Sequence, residues 1–495
     1  MKISSVVVLG AGSAGFMAAL TLKIKLPHLA VRVVRSPNIA IIGVGEATTT
    51  ILPRHFFEYL KLKPRDFYRE ARPTYKMGIR FLWGPRKDFV YTFSFEYEKR
   101  LPQCAKNNGF YYSDEEPWLG IASAFMLHDK VFPRRPEGLP QFHNNHAFHI
   151  ENVTYVGWLE NRCREIGVEV TDATVTAEPG GEGIAALVTE TGERIIADLY
   201  VDASGFRSEL LGRALNEPFR SYADTLFSDR AVVGGWNRAK DEMTLPYTVA
   251  ETMDAGWCWQ IDHEQVIHRG YVYGSSFISD EAARAEFLRK NPKVNPDETW
   301  MVKFRSGRYE RSWVGNVVGI GNAAGFVEPL ESSALQVICV SCSTLTDALL
   351  DCGCEPTPSL IKLFNRYNGD QWDDIRNFLA VHYKFNTRYD TPFWRAARAD
   401  VKLHGAEPIV EWYQENGPSV LAGVALVHSS NSFGMDGFLA LLVGQNVPYR
   451  KVHEPTAAER EFWRKHRAEL AVEAKRGMNS EEVLRVLHNP ETQWT

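Results

Sequence analysis

Valine and leucine fill positions 6–9 without a break, small residues follow, and a second apolar stretch then recurs at helical spacing. VVVLGAGSAGFMAALTLKIKLP therefore reads as a buried strand, a tight glycine turn and a helix. VRVVRS at 31–36 supplies a second strand, which completes a βαβ opening. Residues 39–50, IAIIGVGEATTT, form an apolar run ending in a second glycine turn, and 52–71 reads as a helix. TYKMGIRFLW at 74–83 alternates with period two, so one strand is predicted there. Residues 84–150 are aromatic, proline-containing and irregular, which suggests an inserted substrate region. A helix over 153–167 precedes a series of strands and turns, and 227–313 is largely strand-like. VGNVVGIGNAAGFVEPLESSALQVICVSCSTLTDALLDCG reads as strand, loop and long helix. From about 358 the pattern is mainly helical, and the charged tail from 455 is expected to be solvated.

At 495 residues the chain exceeds one ordinary core, which implies two or three domains or a large α/β unit with a second layer. A composition of 44% hydrophobic and 24% charged residues is that of a globular protein. The net charge of −5 and the lack of a long Lys/Arg block argue against a nucleic-acid partner. No apolar run of about 18 residues suggests a membrane span. The apolar start runs straight into glycines, unlike a secretory signal. The seven cysteines, with Cys339-x-x-Cys342 and Cys352-x-Cys354, lack a second zinc-ligand pair and read as reduced structural thiols of a cytoplasmic protein. His143, His146, His149 and His263 have no carboxylate or thiol at ligand spacing, so no metal site is predicted.

Gly10-x-Gly12-x-x-Gly15 lies between the first strand and helix, the context in which such a motif binds a dinucleotide. The first glycine makes the turn, the second admits a pyrophosphate to backbone amides, and the third lets helix pack on sheet. The second strand ordinarily ends in an acid for a ribose hydroxyl; here Arg35 and Ser36 stand instead. Arg35 reads equally well as an adenine-stacking group or as a surface arginine. Two later strand ends, Asp202 with Gly205 and Gly321 with Asn322, favour FAD over NAD, because flavoproteins of this architecture hold the ribitol and pyrophosphate from such positions.

The motifs together resemble those of flavin-dependent halogenases of the tryptophan halogenase family. The resemblance runs from about residue 3 to 450, through the glycine motif, GVGEAT at 43–48, YKMGIRF at 75–81, GWCWQI at 256–261 and GNAAGFVEPLESSAL at 321–335. The Trp-x-Trp-x-Ile element, with Trp257, Trp259 and Ile261, is the most diagnostic. Three positions depart from the family pattern: Asp262 replaces a proline, Ser332-Ser333-Ala334 replaces a Ser-Thr-Gly-like run, and Arg35 replaces an acid.

The resemblance implies an α/β fold: a Rossmann-like FAD-binding domain of the flavin monooxygenase/halogenase type, intimately joined to a largely helical substrate-binding region. Residues 1–83, 150–225 and 300–355 would form the FAD-binding part, and 84–149, 226–299 and 356–495 the substrate region and C-terminal helices. It implies contacts to FAD from Gly10, Gly12, Ser13, Ala14, Gly15, Arg35, Ala47, Val175, Gly321, Asn322 and Leu335. Reduced FAD would come from a separate flavin reductase. Oxygen would give a flavin hydroperoxide, chloride or bromide would attack it, and hypohalous acid would travel through a tunnel to a lysine beside a small aromatic substrate of indole or phenol type.

Lys76 matches that lysine; a desolvated amine is more often neutral and can take up halogen or hydrogen-bond hypohalous acid. The alternative is an ordinary strand lysine. Glu331 matches the glutamate that steadies the cationic ring intermediate, against plain helix capping. Pro329 biases Glu328 to extended backbone, so Glu328 is read as a loop support. Ser333 and Ala334 offer amides for halide at the helix start. Trp257, Trp259 and Ile261 would shield flavin from substrate. A flavin monooxygenase of the same fold and a non-catalytic FAD-binding protein are the competing readings, and a homodimer is left open.

Overall fold

The computed structural model describes residues 2–39, 45–115, 117–181, 183–427 and 431–489. Residues 40–44, part of the apolar run together with Gly43 and Val44 of GVGEAT, lie outside the described residues. The chain divides into two compact units, one of Met1–Arg72, Ile150–Ala223 and Phe304–Asp373, the other of Pro73–His149, Asp224–Lys303 and Asp374–Thr495.

In the first unit a six-stranded sheet runs in the order Trp313–Val314, Val317–Gly319, Leu199–Asp202, Ser5–Leu9, Ala30–Arg35, Glu169–Asp172. All neighbours are parallel except the first pair. The centre of Ser5–Leu9 is buried, as expected of a parallel strand covered on both faces. The helix Ser13–Lys25 packs with Asn152–Glu165 and Ala334–Asp351. A second apolar cluster, including Val7, Val34, Leu187, Tyr200, Leu211 and Val317, joins the sheet to the three-stranded sheet that begins at Val175. Ser5–Leu9 has the next strand in sequence on one side and Leu199–Asp202 on the other. The winding reverses there, and the C-terminal ends of such strands open a crevice suited to a ligand. Ala334–Asp351 is apolar and long enough to cross a membrane, yet 61% of it is buried inside the protein, as befits a core helix.

The second unit is built on a seven-stranded sheet in the order Trp300–Lys303, Arg230–Asn237, Val266–Tyr273, Gly256–Asp262, Thr248–Met253, Gly78–Leu82, Phe89–Thr92. The helix Asp280–Lys290 seals one face through Ala283 and Phe287 against Val232, Cys258 and Tyr271. A separate short ladder pairs Thr74–Lys76 antiparallel with Ala147–His149.

Three expectations need correction. The predicted helix over 52–71 is broken into Ile51–Pro53, a wide π-type turn Arg54–Tyr59, and Pro64–Glu70. Two prolines explain much of this: Pro53 brings no N–H to the helix, and Pro64 starts a new one at a favoured first position. The strand predicted over 74–83 is two strands in two sheets. The Met77 amide turns away to the carbonyl of Pro246 at 2.7 Å, and the chain re-enters a ladder at Gly78. A Cβ at Gly78 would lie 2.1 Å from the Tyr91 carbonyl oxygen, so only glycine permits this approach. The tail is not simply solvated. It forms the helices Ala457–Arg476 and Ser480–His488, and Leu470 and Ala474 pack on Ala124 and Phe125.

Candidate active site

In the first unit the glycine turn is held by its own geometry. Gly10 has φ +116°, and a Cβ there would lie 2.2 Å from the Ala203 carbonyl oxygen. A Cβ at Gly15 would lie 1.8 Å from the Gly10 carbonyl oxygen. At Gly12 nothing lies within 4 Å of that position, which leaves open space at the start of a 13-residue helix with no acid in its first turn. This arrangement fits a dinucleotide pyrophosphate: a positive helix end and room above the middle glycine. Gly321, at φ +62°, backs onto the same helix; a Cβ there would meet the Ala14 Cβ at 3.0 Å. Gly10, Gly12, Ser13, Ala14, Gly15, Gly321 and Asn322 thus follow the C-terminal ends of two parallel strands, Ser5–Leu9 and Val317–Gly319, that flank Leu199–Asp202.

The other predicted cofactor residues are more dispersed. Arg35 pairs with Asp172 at 2.5 Å and Glu160 at 2.7 Å, and the bond to Asp172 chiefly raises its pKa. Ala47 lies in the short strand Glu46–Ala47, where the Asn152 amide donates to Glu46 at 3.0 Å. Val175 is half-buried against the core that holds Val34. Leu335 is buried in the first turn of Ala334–Asp351. Asp202 is turned inward: its oxygens accept from the Ser204 amide and hydroxyl and from the amides of Leu210 and Leu211. Its carboxylate therefore serves the turn that follows it.

The segment after Gly321 changes direction sharply. Glu328 is extended, with φ −56° and ψ 153°, as the following proline requires. Pro329–Glu331 forms one 3₁₀ turn, and Ser332 adopts φ +57° before the helix begins. Glu331, Ser332 and Ser333 are buried. Ser333 occupies the N-cap position without a side-chain capping bond, and the first turn carries no acid. An 18-residue helix thereby starts at a buried point with its leading amides presented. The Thr49 hydroxyl donates to Gln336 at 2.9 Å and ties the segment just after GVGEAT to this helix start, a contact no local pattern announces.

In the second unit Lys76 is 0% exposed. Thr74 and Lys76 share one face of their strand, opposite His149 and Ala147 respectively. The Lys76 ammonium lies 5.5 Å from the Phe93 ring centre. His149 is buried, and its pKa is pushed down to about 3, by burial first and then by the charge of Lys76. Its Nδ1 lies 3.3 Å from the Asp262 carbonyl oxygen and its Nε2 2.9 Å from the Thr248 hydroxyl. A carbonyl can only accept, so the neutral ring carries its proton on Nδ1 and the Thr248 hydroxyl donates to Nε2.

The strand Gly256–Asp262 has two characters. Trp257, Trp259 and Ile261 form one buried apolar row, and the Trp259 indole lies flat across Gly270 of the adjacent strand, where any Cβ would meet the ring at 2.3 Å. Cys258, Gln260 and Asp262 face the other way. His146 stacks edge-on to Tyr75 and Phe148, and His263 to His268. Among the described residues no group of three or more His, Cys, Asp or Glu side chains is placed to hold a metal ion. Lys76, Trp257, Trp259 and Ile261 belong to the second unit, and Glu331, Ser333 and Ala334 to the first.

His149 yields a prediction about stability. Its folded pKa lies below the unfolded value near 6.5, so its contribution is complete above that pH and is lost as pH falls towards 3. His149→Gln keeps a donor and an acceptor but has no proton to gain. Between pH 6 and 4 the wild type should lose about 1.4 kcal/mol per pH unit relative to the variant. Urea unfolding of both proteins across that range checks this; parallel pH curves would show that His149 is not held neutral.

The comparisons with known proteins agree over most of the chain. The family model described as "Tryptophan halogenase" matches residues 5–461. Tryptophan 6-halogenase ThaL of Streptomyces albogriseolus is 33% identical over 448 residues, 84% of this chain and 83% of the relative. Tryptophan 7-halogenase RebH of Lentzea aerocolonigenes is 31% identical over 441 residues, covering 83% and 82%. The crystal structure of MibH, a lathipeptide tryptophan 5-halogenase, superposes with a TM-score of 0.88 at 37% identity, covering 99% of this chain and 94% of that one. BrvH, a flavin-dependent halogenase from Brevundimonas sp. BAL3, gives a TM-score of 0.84 at 26% identity, covering 98% and 99%.

Proposed function

The chain belongs to the tryptophan halogenase family, and from that premise we propose that it installs chlorine or bromine on an indole, using FAD reduced by a separate reductase. The observation that carries this reading is Lys76. A lysine wholly enclosed at a strand end, beside an imidazole held neutral, is a costly feature that a fold keeps where the amine is paired or put to use.

FAD, when bound and reduced, supplies with oxygen the two-electron oxidation that turns halide into hypohalous acid. The glycine turn and Gly321–Asn322 hold the dinucleotide, and the amides of Ser333 and Ala334 hold the halide. Lys76 Nζ takes up the electrophilic halogen or binds hypohalous acid by a hydrogen bond. The aromatic ring attacks the halogen, and a carbon–halogen bond forms as the bond from halogen to the Lys76 nitrogen or to oxygen breaks. The oxygen leaves as water, either earlier, when the halogen passes to the amine, or at this step, with a proton donated by Lys76 to the departing hydroxide. The Glu331 carboxylate steadies the cationic ring and accepts the proton released when aromaticity returns. Trp257, Trp259 and Ile261 keep the aromatic from reacting where the oxidant is made.

The test supplies FAD, a reductase, oxygen, bromide and a panel of indoles. Brominated product that requires every component supports the reading. An oxygenated product would move the protein to the monooxygenases, and neither product to non-catalytic FAD binding. The 37% identity to a lathipeptide halogenase favours a second substrate reading, tryptophan within a peptide. Free tryptophan and a tryptophan-containing peptide in competition decide between them.

A further inference from the structure

The buried charge of Asp262 stands at the end of the tryptophan strand, and its side chain does not take part in the chemistry described above. Its side chain is 0% exposed and pairs with Arg238 at 2.9 Å. The carboxylate also accepts from Gln260 Nε2 at 2.8 Å and from the Leu245 amide at 3.1 Å. Its backbone carbonyl accepts from the Thr74 hydroxyl at 2.5 Å and from His149 Nδ1 at 3.3 Å. Arg238 in turn donates to the carbonyls of Met243 at 2.7 Å and His263 at 2.9 Å.

These bonds converge on Lys76 from both sides. Two residues before it, Thr74 is tied to the Asp262 carbonyl. Directly after it, the Met77 amide is tied to Pro246, whose neighbour Leu245 is gripped by the Asp262 carboxylate. Further along the same segment, Thr248 holds the imidazole that faces Thr74 across the ladder. A strand of three residues has few ladder bonds of its own, so its geometry depends on such ties. Replacing a buried ion pair by apolar residues of similar size often costs a protein no stability, so stability alone does not account for this placement.

We infer that Asp262 is the positioning residue for Lys76: its carboxylate fixes the 245–246 turn and so the peptide that follows the lysine. This rests on the reading of Lys76 as the halogen-delivering amine. The geometric half is tested independently of halogenation. In Asp262→Asn, and in the apolar pair Arg238→Met/Asp262→Leu, the Met77 amide should exchange with solvent at least about tenfold faster. Strands of the first unit should keep their protection. The paired variant retains a neutral, filled site, so its melting temperature separates loss of grip from loss of fold.

The functional half is read as brominated product per flavin oxidised. That ratio should fall about tenfold or more, because small displacements of a reacting group are amplified in rate. The KM for the indole and the total rate of flavin oxidation should stay within about twofold, since ring binding and oxidant formation do not use this turn. Unchanged Met77 exchange overturns the inference. So does faster exchange with an unchanged product ratio. A wild type that brominates nothing instead overturns the reading beneath it, and is seen before any variant is made.

Discussion

Lys76→Met should abolish halogenation by at least about a thousandfold while oxidation of reduced FAD continues at its usual rate. Methionine keeps the volume of the buried site and removes the amine, so the loss cannot be assigned to a cavity. Lys76→Ala should give the same product loss with a lower melting temperature, since the position is fully enclosed. Oxidising equivalents that no longer reach the indole should appear as hydrogen peroxide or hypohalous acid in solution. Product formation within about tenfold of wild type would take Lys76 out of the chemistry.

The glycine turn offers a matched pair of opposite expectations. Gly12→Val should fold normally, because φ at this position is −84° and nothing lies within 4 Å of a Cβ there. Its side chain would occupy the space proposed for the pyrophosphate, and FAD affinity should fall about a hundredfold, roughly 2.7 kcal/mol. Gly15→Val should fail differently. Its Cβ would lie 1.8 Å from a carbonyl oxygen of the same turn, so strand and helix must separate. Loss of several kcal/mol of stability, or no soluble protein, is expected. Flavin titration and thermal melting of both variants check this. Equal FAD affinity in Gly12→Val and wild type would place the cofactor elsewhere.

The first βαβ unit is legible because a short apolar run and a helical stretch meet at one cluster of glycines. An unbroken apolar run of strand length gives way to a longer helical stretch between Leu9 and Ser13, and no distant residue is needed to see it. The break at Met77 was hidden for the opposite reason. Alternation of side chains survives the break, while the amide changes partner to Pro246, far along the sequence. The charge of the tail points to a solvated segment, although Trp463, Arg467, Leu470 and Ala474 recur at helical spacing on one buried face. That stripe is the signal that would have found it.

Single departures from a motif were visible, and their consequences were not. Asp262 was seen as a replacement for proline, but its meaning depends on Arg238 and Leu245, which pattern alone does not bring together. In sequence His149 shows only that it lacks the partners of a metal ligand. Its tautomer and its position facing Thr74 follow from three contacts made by three different strands or turns. Asp202 looked like a ligand-facing strand end and is a buried cap instead. Burial of a carboxylate cannot be seen until its donors are located.

One labelling experiment tests the central claim most directly. Wild-type protein, reduced FAD, bromide and a tryptophan substrate are allowed a single turnover under ¹⁸O₂, and the product is weighed by mass spectrometry. Bromine in place of one ring hydrogen, with no ¹⁸O in the product and the label recovered in water, is the expected outcome. Heavy oxygen bound to the indole would show that the ring meets the oxidant at the flavin itself, and delivery through Lys76 would be contradicted.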